Sequence, residues 1–233
     1  MDDLAATAGL TFRDRAVLVD DVLVLADLHL GQAEASRVEL PVGNGRDVRR
    51  RLGALLDATE PSTVVVAGDL LHSFDTVPFA VTRTLEGVVD VVRQRDVEPV
   101  ALEGNHDTML ETVWDGEIRG EYRVGDTVVA HGHVEPEAEA ARYVVGHDHP
   151  TIEVENRRRP CYLVGDDQYR GSSVVVLPSF SRLPRGVAVN DMTALDFQSP
   201  LVTDVASLAP IVWDADAGET LTFPPLDSFR HRL

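Results

Sequence analysis

The chain has 233 residues, 44% hydrophobic and 26% charged, the balance of a folded protein with room for one large domain. No apolar run approaches the ~18 residues of a membrane-spanning helix, and Met1-Asp2-Asp3-Leu4 has neither the basic segment nor the apolar core of a secretory signal. The net charge is −18, from 21 basic residues and 39 acids, a balance that ordinarily argues against a polyanionic partner.

Short β-rich runs alternate with helical segments, the pattern of an α/β sandwich or a doubly wound sheet. Residues 16–19 and 22–26 form a predicted hairpin around Asp20-Asp21. Residues 47–56 carry Val48, Leu52, Leu55 and Leu56 at helical spacing. A buried strand is predicted over 64–67, and a helix over 78–93, opened by Pro78 and ended near Gln94–Asp96. Further strands are expected at 97–102, 127–130, 143–145, 151–155, 162–164 and 174–177. A closing hairpin pairs 211–213 with 220–223 around Ala217-Gly218. The Gly125-Asp126 and Gly165-Asp166 pairs read as turns, and the stretches around Pro184 and Pro200 as loops. No repeat or linker divides the chain, so one domain over 1–233 is expected.

Seven of the eight histidines fall in five short clusters: Asp27-Leu28-His29, Gly68-Asp69-Leu70-Leu71-His72, Gly104-Asn105-His106-Asp107, His131-Gly132-His133 and Gly146-His147-Asp148-His149. Only His231 stands apart, as a tail residue with no assigned role. Each cluster directly follows a predicted strand, and the carboxyl ends of strands form the ligand-binding edge of an open α/β sheet. Five separate positions are therefore expected to converge on one rim. Imidazole, carboxylate and amide oxygen suit divalent Mn, Fe, Zn or Ni, and with Cys161 as the sole cysteine a thiolate zinc site is excluded. Seven or so candidate ligands exceed what one ion takes, so a two-metal site is expected. Two cations about 3.5–4 Å apart can clamp a phosphate and activate a water, with a shared carboxylate between them.

The ordered set Asp-x-His, Gly-Asp-x-x-His, Gly-Asn-His-Asp, His-Gly-His and Gly-His-x-His, spanning residues 27–149, resembles the calcineurin-like metallophosphoesterase superfamily. The wider text, Asp27-Leu28-His29-Leu30-Gly31 followed by Pro41-Val42-Gly43 and an Arg-rich helix, is similar to archaeal SbcD-related phosphoesterases and to bacterial ligase-associated DNA-repair endonucleases. The resemblance implies a four-layer α/β (α+β) fold, a β-sandwich flanked by helices. It implies a first metal on Asp27, His29 and His149, a second on Asn105, His131 and His147, and Asp69 bridging both. It further implies that a metal-activated hydroxide attacks the phosphoester. His106 contacts the phosphate and serves the leaving oxygen, with Asp107 orienting its imidazole. His72 lies near the substrate or hydrogen-bonds the ligands, His133 backs the ligands or faces the substrate, and Asp148 is an exposed spacer. Asn105, His106 and His133 are the expected substrate contacts.

The complete absence of Lys, with the acid excess, resembles proteins of halophilic archaea. In molar salt the Debye length is roughly 3 Å, so a charge that answers to solvent does not exclude DNA; a GC-rich genome favouring Arg, with acidity by chance, is the alternative. The single cysteine fits a reducing cytoplasm. The leading expectation is a Mn-dependent phosphodiesterase that processes DNA, with Arg46, Arg49, Arg50 and Arg51, and Arg157-Arg158-Arg159 at a hairpin tip, as phosphate contacts or as solvated faces. A small-nucleotide phosphodiesterase or phosphatase, and a non-catalytic scaffold on the same fold, are the alternatives. Oligomeric state is not encoded in any motif.

Overall fold

The computed structural model describes residues 5–32, 44–72 and 75–230; Pro41-Val42-Gly43 and His231 lie outside them. Six strands form a first sheet in spatial order β1 (Leu10–Arg13), β2 (Ala16–Val19), β3 (Val22–Leu25), β4 (Thr63–Val66), β5 (Glu98–Leu102) and β6 (Ile118–Arg119). From β3 to β6 all neighbours are parallel, whereas β1, β2 and β3 form an antiparallel meander. A second sheet has seven strands. Its parallel centre is β8 (Thr127–Ala130), β9 (Arg142–Val145) and β13 (Ser172–Val176). Antiparallel strands extend it on both sides: β7 (Glu121–Val124) beside β8, and β12 (Tyr162–Tyr169), β15 (Ala209–Asp214) and β16 (Glu219–Thr222) beyond β13. A small third sheet joins β10 (Pro150–Val154) to β11 (Arg157–Pro160) and β14 (Val187–Ala188).

Strand periodicity explains the layering. In β3 and β4 every residue is buried, so the two faces need separate partners. One face, with Val24 and Val65, meets Val129, Val144, Val164 and Val175 of the second sheet. The other, with Leu23, Leu25, Val64 and Val66, meets the helices α1 (Asn44–Thr59) and α2 (Phe79–Arg93). The helices supply matching stripes, Val48, Leu52, Leu55 and Leu56 from α1 and Val81, Leu85, Val88 and Val92 from α2, at the spacing that puts them on one face. Each such buried aliphatic side chain contributes about 1.5–3 kcal/mol.

The far face of the second sheet is covered differently. Val128, Tyr143, Val145, Leu163 and Val174 pack against Val189, Phe197, Leu201, Val205 and Leu208, a stretch that holds only short 3-10 turns, and against Leu226 of α3 (Leu226–Arg230). The mixed α/β sandwich is as expected, with its two long helices on one side.

Two local expectations are corrected. Gly165-Asp166 is not a turn: it lies inside β12, at a register shift between Gly165 and Tyr169. A Cβ at Gly165 would sit 2.7 Å from side-chain atoms of Gln168 and Leu208, so close packing requires the glycine. Arg157-Arg158-Arg159 is not the hairpin tip. Glu155 and Asn156 form the tip, both left-handed, and the arginines stand in β11.

Candidate metal and catalytic site

Each histidine cluster begins where a parallel strand ends, but the clusters do not share one sheet. Those after β3, β4 and β5 belong to the first sheet, and those after β8 and β9 to the second. The site therefore straddles both sheets, with His147 N–H donating to Asp27 Oδ2 at 3.1 Å across the seam, and main-chain bonds tie the loops within each half. Asp27 N–H donates to Gly68 O at 3.1 Å and His29 N–H to Asp69 O at 2.9 Å, joining the first two loops; Gly146 N–H donates to His131 O at 2.9 Å, joining the last two.

These short connections leave little backbone freedom. Asp27, His29, Asp69, His147 and His149 all have left-handed φ, between 46° and 72°, a conformation that costs a non-glycine residue of order 1–3 kcal/mol and persists where surroundings dictate it. At Gly104 a Cβ would lie 2.3 Å from Asp69 N and Asp69 Oδ1. Only glycine lets the loop after β5 press so closely on that carboxylate.

Two overlapping groups of potential ligands result. Asp27, His29 and His149 offer one atom each within 4.8 Å of one another, and so do Asp27, Asp69 and His131. His29 Nε2 is 3.1 Å from His149 Nε2, which is 3.3 Å from Asp27 Oδ1. Asp69 directs one oxygen to His131 Nε2, at 3.5 Å, and the other toward His29 Nε2, at 3.9 Å.

The tautomer of His131 tests whether this donor set fits a cation. Its Nδ1 is 3.0 Å from the carbonyl of Ala67, which can only accept, so Nδ1 carries the proton. In the neutral ring Nε2 is then a bare lone pair, yet it faces Asn105 Oδ1 at 3.0 Å and His147 Nδ1 at 3.1 Å. Two acceptors, His131 Nε2 and Asn105 Oδ1, facing one another need positive charge between them. Carbonyl-oriented histidine beside carboxylate and amide oxygen is a metal-ligand arrangement, so the residues fit a divalent ion.

Burial tunes the same groups. Burial, followed by repulsion from His149, His106 and His72, outweighs attraction to Asp27 and lowers His29 to a pKa of about 3. Burial and His131 lower His147 to about 4, so both rings are neutral at pH 7 with lone pairs available. Burial works against the Asp27 carboxylate, but His149, His131 and His29 outweigh it and hold it below the usual range. Burial raises Asp69.

Around this centre lie the remaining predicted residues. Asn105 is exposed and His106 half-buried. His106 N–H donates to Asp69 Oδ1 at 2.9 Å, and its Nε2 is 4.0 Å from Asp69 Oδ2. His72 stacks on the His106 ring, centroids 5.2 Å apart and planes 17° apart. His133 lies 5.1 Å from His131 between ring centroids.

Three expected roles change. The Asp107 carboxylate accepts from the main-chain N–H of Leu70, Leu71 and Gly104. It clamps the loops after β4 and β5 instead of serving the His106 imidazole, and burial raises it to about 6. Asp148 is buried and accepts from Gln198 N–H at 2.8 Å and Ser199 N–H at 3.2 Å, so it is an anchor and not an exposed spacer. Arg51, 2% exposed, grips Asp14 through Nε and Nη2 at 2.8 and 2.9 Å and donates to Phe180 O at 2.6 Å. It is neither a phosphate contact nor part of a solvated face. Arg46, Arg49 and Arg50 are exposed, and Arg50 pairs with Asp47 at 2.8 Å. Sequence reasoning missed Ser179, whose hydroxyl donates to Asp27 O at 2.8 Å; a serine after a strand carries no signal of its own.

Comparison with known proteins bears on the fold and the family. A nuclease from Pseudomonas putida, MPE, is similar in fold, with a TM-score of 0.61 and 20% identity over 90% of this chain and 92% of that one. YfcE, a phosphoesterase from E. coli, aligns over 88% of this chain and 98% of its own with 16% identity and a TM-score of 0.43. A search of the curated proteins found no match. The family model of the calcineurin-like phosphoesterases matches residues 21–171, a span that opens just before β3 and takes in all five clusters. The chain belongs to the calcineurin-like phosphoesterase family, whose members are metal-dependent hydrolases.

Proposed function

We propose that this hydrolase is a dinuclear phosphodiesterase that cleaves nucleic acid, with manganese as the working metal. The observation that carries the reading is the pair of ligand groups sharing Asp27, with exposed Asn105 and half-buried His106 at their mouth. Asp27, His29 and His149 would hold one cation and Asn105, His131 and His147 the second, with Asp69, one oxygen toward His131 and the other toward His29, serving both. When bound, such a pair neutralises a phosphate and acidifies a water.

The chain's own residues do the rest. Neutral His29 and His147 offer lone pairs without first losing a proton. The Asp107 clamp and the Gly104 contact set Asn105 and His106 against Asp69 before substrate arrives, the preorganisation on which rate depends. His106 contacts the phosphate and gives a proton to the leaving oxygen. The stacked ring of His72 restricts how far the His106 imidazole can turn, and His133 faces the incoming substrate. The similarity in fold to the P. putida nuclease supports a nucleic-acid diester over a small nucleotide.

The test is a substrate panel with manganese in molar KCl: labelled single- and double-stranded DNA, cyclic nucleotides and phosphomonoesters. Cleavage of DNA that stops with chelator is the expected result. Turnover confined to monoesters or cyclic nucleotides would overturn the nuclease reading in favour of a small-nucleotide enzyme.

A further inference from the structure

A cleft of about 210 Å³ opens beside the site, with His149 in its wall. It is lined by Arg15, Arg158, Arg182 and Arg185, four of the 21 basic residues of a chain whose net charge is −18. They come from three separated parts of the fold: the turn after β1, strand β11, and the loop 178–186. Among the described residues, Arg15, Arg158 and Arg185 have no carboxylate within 4.0 Å, and Arg182 reaches Asp47 at 3.5 Å. Four converging guanidinium groups, three of them without a carboxylate within 4.0 Å among the described residues, repel one another, so the arrangement favours an anionic guest.

The cleft is also firmly placed. Arg15 Nη1 donates to Ser179 O at 3.1 Å and Ser181 O at 2.7 Å, while Phe180 N–H and Ser181 N–H donate to Ala26 O and Asp27 O. The loop bearing Arg182 and Arg185 is thus tied to the backbone of a candidate metal ligand. His131 and His133 instead open onto a groove lined by Glu103, Glu117, Glu121, Glu135 and Glu137, with Arg119 beside them. A polyanion leaving the metal centre is repelled there and attracted on the His149 side.

We propose that the arginine cleft seats a second phosphate of the substrate, adjacent to the one hydrolysed, and so selects a polynucleotide backbone over a single diester. This inference rests on the phosphodiesterase reading above. Guanidinium groups bind phosphate oxygens in bidentate fashion, which suits them to the task.

The test compares a dinucleoside monophosphate, with one phosphate, against a trinucleoside diphosphate, with two. In the manganese-loaded wild type the second phosphate should raise kcat/KM at least about tenfold, the scale of one charge-assisted hydrogen bond. In the double variant Arg158→Gln/Arg185→Gln, both exposed positions, that advantage should fall to near unity. Calorimetric binding of the trinucleotide should weaken in parallel. An equal preference and equal binding in wild type and variant would overturn the subsite, as would an advantage for a nucleoside diphosphate with none for the trinucleotide. If neither diester is hydrolysed, the phosphodiesterase reading fails, and the binding comparison still decides the subsite.

Discussion

Two clefts meet at the histidine cluster, and they carry opposite charge. The one beside His149 is lined by four arginines, the one beside His131 and His133 by five glutamates and Arg119. Both belong to a chain at −18, so the net value says little about the field where the chemistry takes place. What separates them is construction. The arginine side rests on backbone contacts to Ala26 and Asp27 and on buried Arg51, which holds Phe180 O and lies 4.2 Å from the Phe180 ring centroid. The glutamate side is formed by edge strands β6 and β7 and the chain after His133.

The site between the clefts gives the largest predicted effect. Asp69→Asn should lower the metal content of the purified protein and bring turnover down to that of the chelated wild type. Full metal occupancy in this variant, read by elemental analysis, would remove Asp69 from the ligand set. His106→Asn should keep its metal and lose about 100-fold or more in kcat; an unchanged kcat excludes it from proton transfer.

The arginine flank can be undermined from below. Asp14→Ala leaves the Arg51 guanidinium buried with Asp47, at 3.6 Å, as its remaining carboxylate, and should cost about 3 kcal/mol in chemical denaturation. Arg50→Gln, one position away on an exposed ion pair, should change stability by no more than about 0.5 kcal/mol. Similar losses in both variants would contradict the division between buried and surface arginine. The smallest effect belongs to the glutamate flank. Glu103→Gln should raise kcat/KM for DNA about twofold at low salt, with the gain vanishing in molar KCl where the screening length is roughly 3 Å. A gain that survives high salt would point to a contact in place of a field.

The five clusters were legible because metal chemistry restricts which residues can serve: His, Asp and Asn with glycine beside them, each directly after an apolar run. The repeating apolar positions of α1 and α2 were legible for the same kind of reason, since a buried stripe must recur at the helical period. Other roles were not. In one dimension Asp107 looks like a catalytic partner and Asp148 like an exposed spacer, and only the placement of main-chain amides from Leu70, Leu71, Gln198 and Ser199 makes them anchors. Arg51 looks like its neighbours Arg49 and Arg50 until helix geometry turns it inward toward Asp14.

The chain's own letters determine which groups can coordinate and where strands end, because both depend on residue type and short-range order. That the clusters come from two sheets, that His131 Nε2 faces Asn105 and His147, and that four arginines from distant segments line one cleft were decided by the tertiary structure. Those facts depend on how strands pair across more than a hundred residues, and local sequence does not encode such distances.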